Sequence, residues 1–183
     1  MSKTKKLAIV IELNNDIKTE SIKACTEFSN TLGINYIFKR TPNLHIMIES
    51  NLSYDDIEVI SRTMKNISLN TISFSIESNG LGVFIASTPV IYLRWKKNHA
   101  IMQIKEKIKE YFSNELPNYK EDINWVMKST LAFHDTSYST LNNCLSILEK
   151  YNFSQKLNVS SIHLYEYSLN KNEKCIQTFN FGV

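Results

Sequence analysis

The sequence predicts an α+β protein with internal pseudo-symmetry, and three observations carry that expectation. Short apolar runs of strand length are interleaved with longer stretches in which apolar residues recur every three or four positions. The order strand–helix–strand–strand occurs at least twice. No linker divides the 183 residues, which include only four glycines and three prolines. The element order favours this class over a doubly wound parallel sheet, and so few scattered glycines cannot build a phosphate-cradling loop.

Taken in order, Leu7–Leu13 is a near-continuous apolar run, as expected of a central strand covered on both faces. Asn14, Asn15 and Asp16 offer helix caps, and Ile22, Cys25, Phe28 and Leu32 mark one helical face that Gly33 ends. Ile34–Arg40 reads as a strand, Thr41-Pro42 as a break and Leu44–Glu49 as a further strand. Ser53 to Asp56 matches a capping box, and Ile57, Ile60, Met64 and Ile67 form the helical stripe behind it.

The pattern then recurs. Ile72, Phe74 and Ile76 alternate as in a half-buried strand, Asn79-Gly80 signals a hairpin-like turn, and Leu81–Ile85 returns. Val90–Trp95 is a strand, and Ile101, Ile104, Ile108 and Phe112 stripe an amphipathic helix. A loop around Pro117 leads to a strand at Trp125–Phe133, and Leu141, Cys144, Leu145 and Leu148 face inward on a fourth helix. Ile162–Tyr167 and Cys175–Phe181 close the chain as two strands about a turn at Asn170–Asn172.

Composition narrows the function classes. The hydrophobic share of 43% and charged share of 21% are those of an ordinary globular protein, and 183 residues suffice for one domain with a substantial core. A net charge of +3 allows an anionic ligand in a local pocket but lacks the basic stripe of a long-nucleic-acid binder. The cysteines Cys25, Cys144 and Cys175 are odd in number without CxxC spacing, so they read as reduced thiols of a cytoplasmic protein. The apolar run after the basic N-terminus is too short for a signal peptide or membrane span. No His/Cys/Asp/Glu group has metal-ligand spacing, so neither a metal nor a cofactor is expected.

Two strands carry the chemistry. In an extended Leu44–Glu49, His45 and Met47 share one face while Leu44, Ile46 and Ile48 take the other. In the later strand Lys128, Thr130 and Ala132 share a face opposite Met127, Ser129 and Leu131. Each strand therefore has one face fit for packing and one bearing unusual groups. Tyr36, Arg40, Tyr92, Arg94, Trp95 and Tyr165 are further candidates for a groove, as stacking surfaces for bases and donors for phosphate. His134 reads as a loop or rim residue, His99 and His163 as isolated histidines, and Glu49 and Glu166 lack a paired carboxylate.

In these two strands the sequence resembles the 2H phosphoesterase superfamily, which includes 2′-5′ RNA ligase-like proteins and cyclic phosphodiesterases. The resemblance covers nearly the whole chain. It runs from the strand Leu7–Leu13 through Pro42-Asn43-Leu44-His45 as the first motif, Trp125 to Ala132 as the second, and Val159–Val183 as the closing hairpin. The motifs stand 83 residues apart (128 − 45), and Thr130-Leu131-Ala132 is the most specific fragment. The resemblance implies two pseudo-symmetric lobes of antiparallel sheet and helices around a central groove, each lobe supplying a His-x-Thr. One histidine of the family activates the attacking hydroxyl or water, the other protonates the leaving oxygen, and the threonines hold phosphate oxygens.

Both motifs depart from that pattern. His45 remains, but Met47 replaces the first hydroxyl; Thr130 remains, but Lys128 replaces the second histidine. Histidine suits proton transfer because its unperturbed pKa of about 6.5 gives both forms near neutrality, whereas an ammonium of pKa about 10.4 is a poor base there. The resemblance therefore implies a site (His45, Lys128, Thr130) that binds a small nucleotide or cyclic oligonucleotide with impaired hydrolysis. Sequestering a nucleotide signal would be such a role, as in phage-encoded relatives that counter cyclic-nucleotide immunity. The alternatives are an active phosphodiesterase using His45 and Lys128, and a non-catalytic RNA-binding descendant.

Overall fold

The computed structural model describes residues 5–37, 44–168 and 171–182. Arg40, the Thr41-Pro42 break, Asn43 and Asn170 lie outside the described residues. The described chain runs β1 (Lys6–Glu12), α1 (Asn15–Leu32), β2 (His45–Ser53), α2 (Ile57–Leu69), β3 (Phe74–Phe84) and β4 (Val90–Trp95). It continues through α3 (His99–Glu115), β5 (Lys128–Ala132), α4 (Leu141–Leu148), β6 (Lys156–Val159), β7 (Ser161–Ser168) and β8 (Lys171–Asn180).

These strands make two four-stranded sheets, ordered β2-β1-β7-β8 and β5-β4-β3-β6, with antiparallel pairing throughout. Each sheet thus carries one motif strand at its edge, beside a strand buried on both sides. The two edge strands, β2 and β5, approach one another. The expected α+β architecture of two antiparallel lobes is what the chain adopts.

Local chemistry explains the boundaries. The Asn14 side chain accepts from Ile17 N–H at 3.0 Å and caps α1, while Gly33 in the left-handed region (φ 68°) sends its N–H back to Ser29. Asn98 caps α3 in the same way, accepting from Ile101 N–H, and its amide also donates to the Ser75 carbonyl. Ser53 Oγ accepts from Asp55 N–H and starts a single 3₁₀ turn ahead of α2.

One apolar cluster joins both lobes. It takes Ile9, Ile11, Ile46 and Ile48 from the first sheet and Ile91, Leu93 and Leu131 from the second, with Phe28, Met64 and Phe112 from the helices. Helix α1 packs with α4 against β5, and the Cys25 thiol donates to the Leu131 carbonyl; α2 packs with α3 and the β7–β8 side. A pair of buried charges, Lys105 and Glu49, meets at 2.6 Å, and Lys105 also donates to the Ile48 carbonyl and so ties α3 to β2. Tyr119 adds a hydrogen bond to Glu49.

Two expectations need correction, and one strand lies where none was expected. Asn79-Gly80 is not a hairpin turn: β3 continues through it with a register shift between Ser78 and Leu81, and Gly80 (φ 72°) supplies the left-handed residue of a bulge. The turn chemistry is real, but pairing with β4 and β6 on both flanks makes a bent strand the better solution. The strand expected from Ile34 is absent over residues 34–37, where the Asp135 carboxylate accepts from Asn35 and Tyr36 N–H and holds a turn. Finally, β6 (Lys156–Val159) was not foreseen, being only four residues with alternate positions exposed.

Candidate functional site

A cavity of about 280 Å³ opens between the two edge strands. From the first lobe come His45 and Met47 on β2 and Tyr165 on β7; from the second come Lys128 and Thr130 on β5. The alternation expected from sequence is observed: Ile46, Ile48, Ser129 and Leu131 are buried on the opposite faces. Tyr36 and Phe133 contribute apolar surface at the mouth, and Glu173 stands beside His45.

Register fixes the first half. On β1 and β2, His45 lies opposite Glu12 and Met47 opposite Val10. Val10, Ala8 and Tyr165 form a small apolar cluster against which Met47, Tyr167 and Cys175 pack. Met47 therefore does more than omit a hydroxyl: its thioether extends an apolar floor. His45 Nδ1 lies 3.6 Å from the Glu173 carboxylate, and its ring is 5.7 Å from that of Tyr165. The Tyr165 hydroxyl donates to Glu12 at 2.6 Å, and both burial and this bond raise its pKa. Burial pushes the Glu12 carboxyl up, but the Tyr165 bond and the charges of His163 and Lys18 overcome it and hold Glu12 below its ordinary value.

The second half rests on an aromatic platform. Lys128 and Thr130 pair across β4 with Arg94 and Tyr92. Tyr92 stacks on Phe84 with centroids 4.6 Å apart, and the Lys128 ammonium lies 4.9 Å from the Phe84 centroid. Gly82 permits this, because a Cβ there would stand 2.4 Å from the Tyr92 ring. Among the described residues no carboxylate lies within ion-pair distance of Lys128 Nζ. Burial lowers its pKa below the ordinary lysine value, with Asp122 opposing more weakly. Thr130 Oγ has no hydrogen-bond partner among the described residues, leaving a donor facing the cavity.

The remaining candidates separate cleanly. Tyr36 and Tyr165 line the cavity with His45, Met47, Lys128 and Thr130. Trp95 does not: it is 3% exposed, and its indole N–H donates to Ser129 on the core face of β5. A large aromatic alternating with Arg94 falls on the packed side of β4. Arg94 is exposed beside Lys128, its guanidinium donating to the Asn79 carbonyl, and stands at the rim outside the cavity lining. Arg40 lies outside the described residues. His134, in the left-handed region (φ 65°), stacks on Phe133 and meets the Tyr36 ring, so it braces the mouth.

His163, isolated in sequence, is not isolated in space. It sits on the groove face of β7 with Glu12 and Cys175 around it, and it approaches the cavity through the Tyr165–Glu12 bond. Residue spacing carries no signal for this group, since its members come from three strands. Glu173 was missed for the same reason.

Comparison with known proteins identifies the family and the fold. Residues 22–171 match the family model described as the 2′-5′ RNA ligase superfamily, and the chain belongs to that family of 2H phosphoesterases. Among solved structures, TT0787 of Thermus thermophilus is similar at a TM-score of 0.74 with 13% identity, over 96% of this chain and 97% of that one. Escherichia coli LigT complexed with 3′-AMP is similar at 0.71 with 14% identity, over 98% and 99%. The NADP⁺ complex of E. coli LigT is similar at 0.65 with 12% identity, over the full length of both chains. No curated protein sequence matches significantly. At these identities the structural likeness establishes the fold.

Proposed function

We propose that the groove binds a small nucleotide through a phosphate and holds it with little hydrolysis. The observation that carries this reading is the composition of the cavity between the edge strands. Lys128 and Thr130 enter it opposite His45, while the place of a second hydroxyl is taken by Met47, packed into an apolar floor. An ammonium and a hydroxyl are donors suited to phosphate oxygens. Tyr36, Phe133 and Tyr165 offer flat surfaces for a base, and base–aromatic stacking contributes about 1–3 kcal/mol per base. Structures of similar fold have been determined with 3′-AMP and NADP⁺, which supports a nucleotide as the ligand class.

His45 retains one of the two proton-transfer roles. Lys128 supplies charge in place of the second, and losing one acid–base partner typically removes about 10²–10⁴ in rate. Capture without turnover suits a protein that sequesters a cyclic or phosphodiester-containing nucleotide signal, including in phage counter-defence. The test is to purify untagged protein, denature it and identify released small molecules by mass spectrometry, then incubate the protein with whatever appears. The reading expects the nucleotide back intact in roughly stoichiometric amount; conversion to a linear product over many turnovers overturns it.

A second reading is favoured by one observation, the burial that lowers the Lys128 pKa. A lysine brought toward neutrality can protonate a leaving oxygen. The site would then be an active phosphodiesterase with His45 as base and Lys128 as acid. It expects His45→Ala to abolish turnover and Lys128→His to preserve or raise it.

A further inference from the structure

Beyond the cavity, three strands of the first sheet converge on a second constellation. Glu12 ends β1, His163 lies on β7 opposite Val10, and Cys175 lies on β8 opposite Tyr165. A register shift between Leu164 and Tyr165 takes the β8 partner from Gln177 to Cys175, which brings this thiol to the groove face. The potential donor atoms all lie within 4.8 Å of one another, with Cys175 Sγ 4.0 Å and Glu12 Oε1 3.9 Å from His163 Nδ1.

We propose that Glu12, His163 and Cys175 bind a divalent cation of the zinc class on the groove face of the first sheet, one side chain away from the cavity. Thiolate, imidazole and carboxylate are the donor set that zinc and its neighbours select over magnesium or calcium. Bond lengths of about 2.3 Å to sulfur and about 2.0–2.1 Å to nitrogen and oxygen put tetrahedral donors about 3.3–3.6 Å apart. The observed separations to the imidazole need to close by about half an ångström, within the reach of small side-chain rotations.

The surroundings suit ligation. His163 Nε2 lies 3.1 Å from Ser161 Oγ, so donation there leaves the Nδ1 lone pair directed at Glu12 and Cys175. Thr178 Oγ1 also lies 3.1 Å from Nδ1 and would yield that position to a metal. The Tyr165 hydroxyl orients the Glu12 carboxylate from the cavity side. With three protein donors, a fourth position remains for water or a ligand atom.

The test uses untagged, metal-free full-length protein titrated with Co²⁺, followed by displacement with Zn²⁺. One equivalent per chain should produce visible tetrahedral Co²⁺ bands and a near-ultraviolet thiolate charge-transfer band. Cys175→Ser should abolish the charge-transfer band although Cys25 and Cys144 remain, and His163→Gln, which keeps the thiol, should weaken binding at least tenfold. Zn²⁺ should raise the thermal unfolding midpoint of the native chain and of neither variant. Absence of a charge-transfer band in the native chain, its persistence in Cys175→Ser, or unchanged affinity in His163→Gln overturns the proposal. None of these readouts depends on nucleotide binding, so failure here leaves the reading of the cavity untouched.

Discussion

Replacing Lys128 by Met separates a charge placed for a ligand from a charge placed for the fold. The substitution keeps an unbranched apolar stem of similar volume over Phe84 and removes only the ammonium. In the free protein that ammonium is partly desolvated, faces an aromatic ring and has no carboxylate of the described residues at ion-pair distance. Removing it should leave thermal stability unchanged or raise Tm by about 2–4 °C, the equivalent of about 1 kcal/mol in a chain of this size. A bound phosphate loses a hydrogen bond from a charged donor, about 1.5–3 kcal/mol, which at 1.4 kcal/mol per decade is about 10- to 150-fold in Kd. Calorimetry with 3′-AMP as the probe and adenosine as the uncharged control reads both effects. The expected result is weaker 3′-AMP binding, unchanged adenosine binding and no loss of Tm. Equal weakening of both ligands, or a fall in Tm with 3′-AMP affinity intact, would refute the assignment of Lys128 to phosphate.

Three other outcomes follow from the same structure. Lys105→Met should destabilise the chain by about 3–5 kcal/mol in urea unfolding, because it strands a buried Glu49, while Lys105→Met with Glu49→Met should recover most of that loss. On the alkaline side, phosphate affinity should fall as pH rises through the lowered Lys128 pKa, before an ordinary lysine titrates. Between that value and 10.5 the unfolded chain holds the extra proton, so Lys128 makes stability rise with pH in that window; Lys128→Met should remove both limbs. Gly82→Ala should cost about 1–3 kcal/mol by overpacking and weaken 3′-AMP binding as well, because its Cβ meets the Tyr92 ring that supports Phe84 and Lys128.

Legibility in the sequence tracked the range of the interaction. Helix periodicity and caps are local, so Asn14 starts α1 and Gly33 ends it as their chemistry dictates. Strand alternation is also local, and it sorted His45 and Met47 from Ile46 and Ile48 correctly. The Asn79-Gly80 pair shows the limit: its preference for a left-handed residue was met, but whether that residue makes a hairpin or a bulge depends on which strands pair alongside. Trp95 shows another, since an aromatic next to Arg94 is a groove candidate until the register of β4 with β5 assigns it to the core side with Ser129. Glu12, His163, Cys175 and Glu173 could not be read at all. They meet only when β1, β2, β7 and β8 are aligned, and residue spacing holds no trace of that alignment.

The way the two motif strands are anchored explains how the side chains facing the groove can vary while the strands keep their places. Strand β2 is held from behind: Lys105 donates to the Ile48 carbonyl, and the Trp125 indole donates to the Met47 carbonyl at 2.9 Å. Strand β5 is held likewise, by Trp95 on Ser129 and by the Cys25 thiol on the Leu131 carbonyl. None of these bonds involves a groove-facing side chain. Substituting Met for a hydroxyl residue or Lys for a histidine therefore changes what points into the cavity without changing where the strands stand. The stability of the fold places no demand on which side chains stand at positions 47 and 128, so the chemistry of the groove can change there while the groove itself persists.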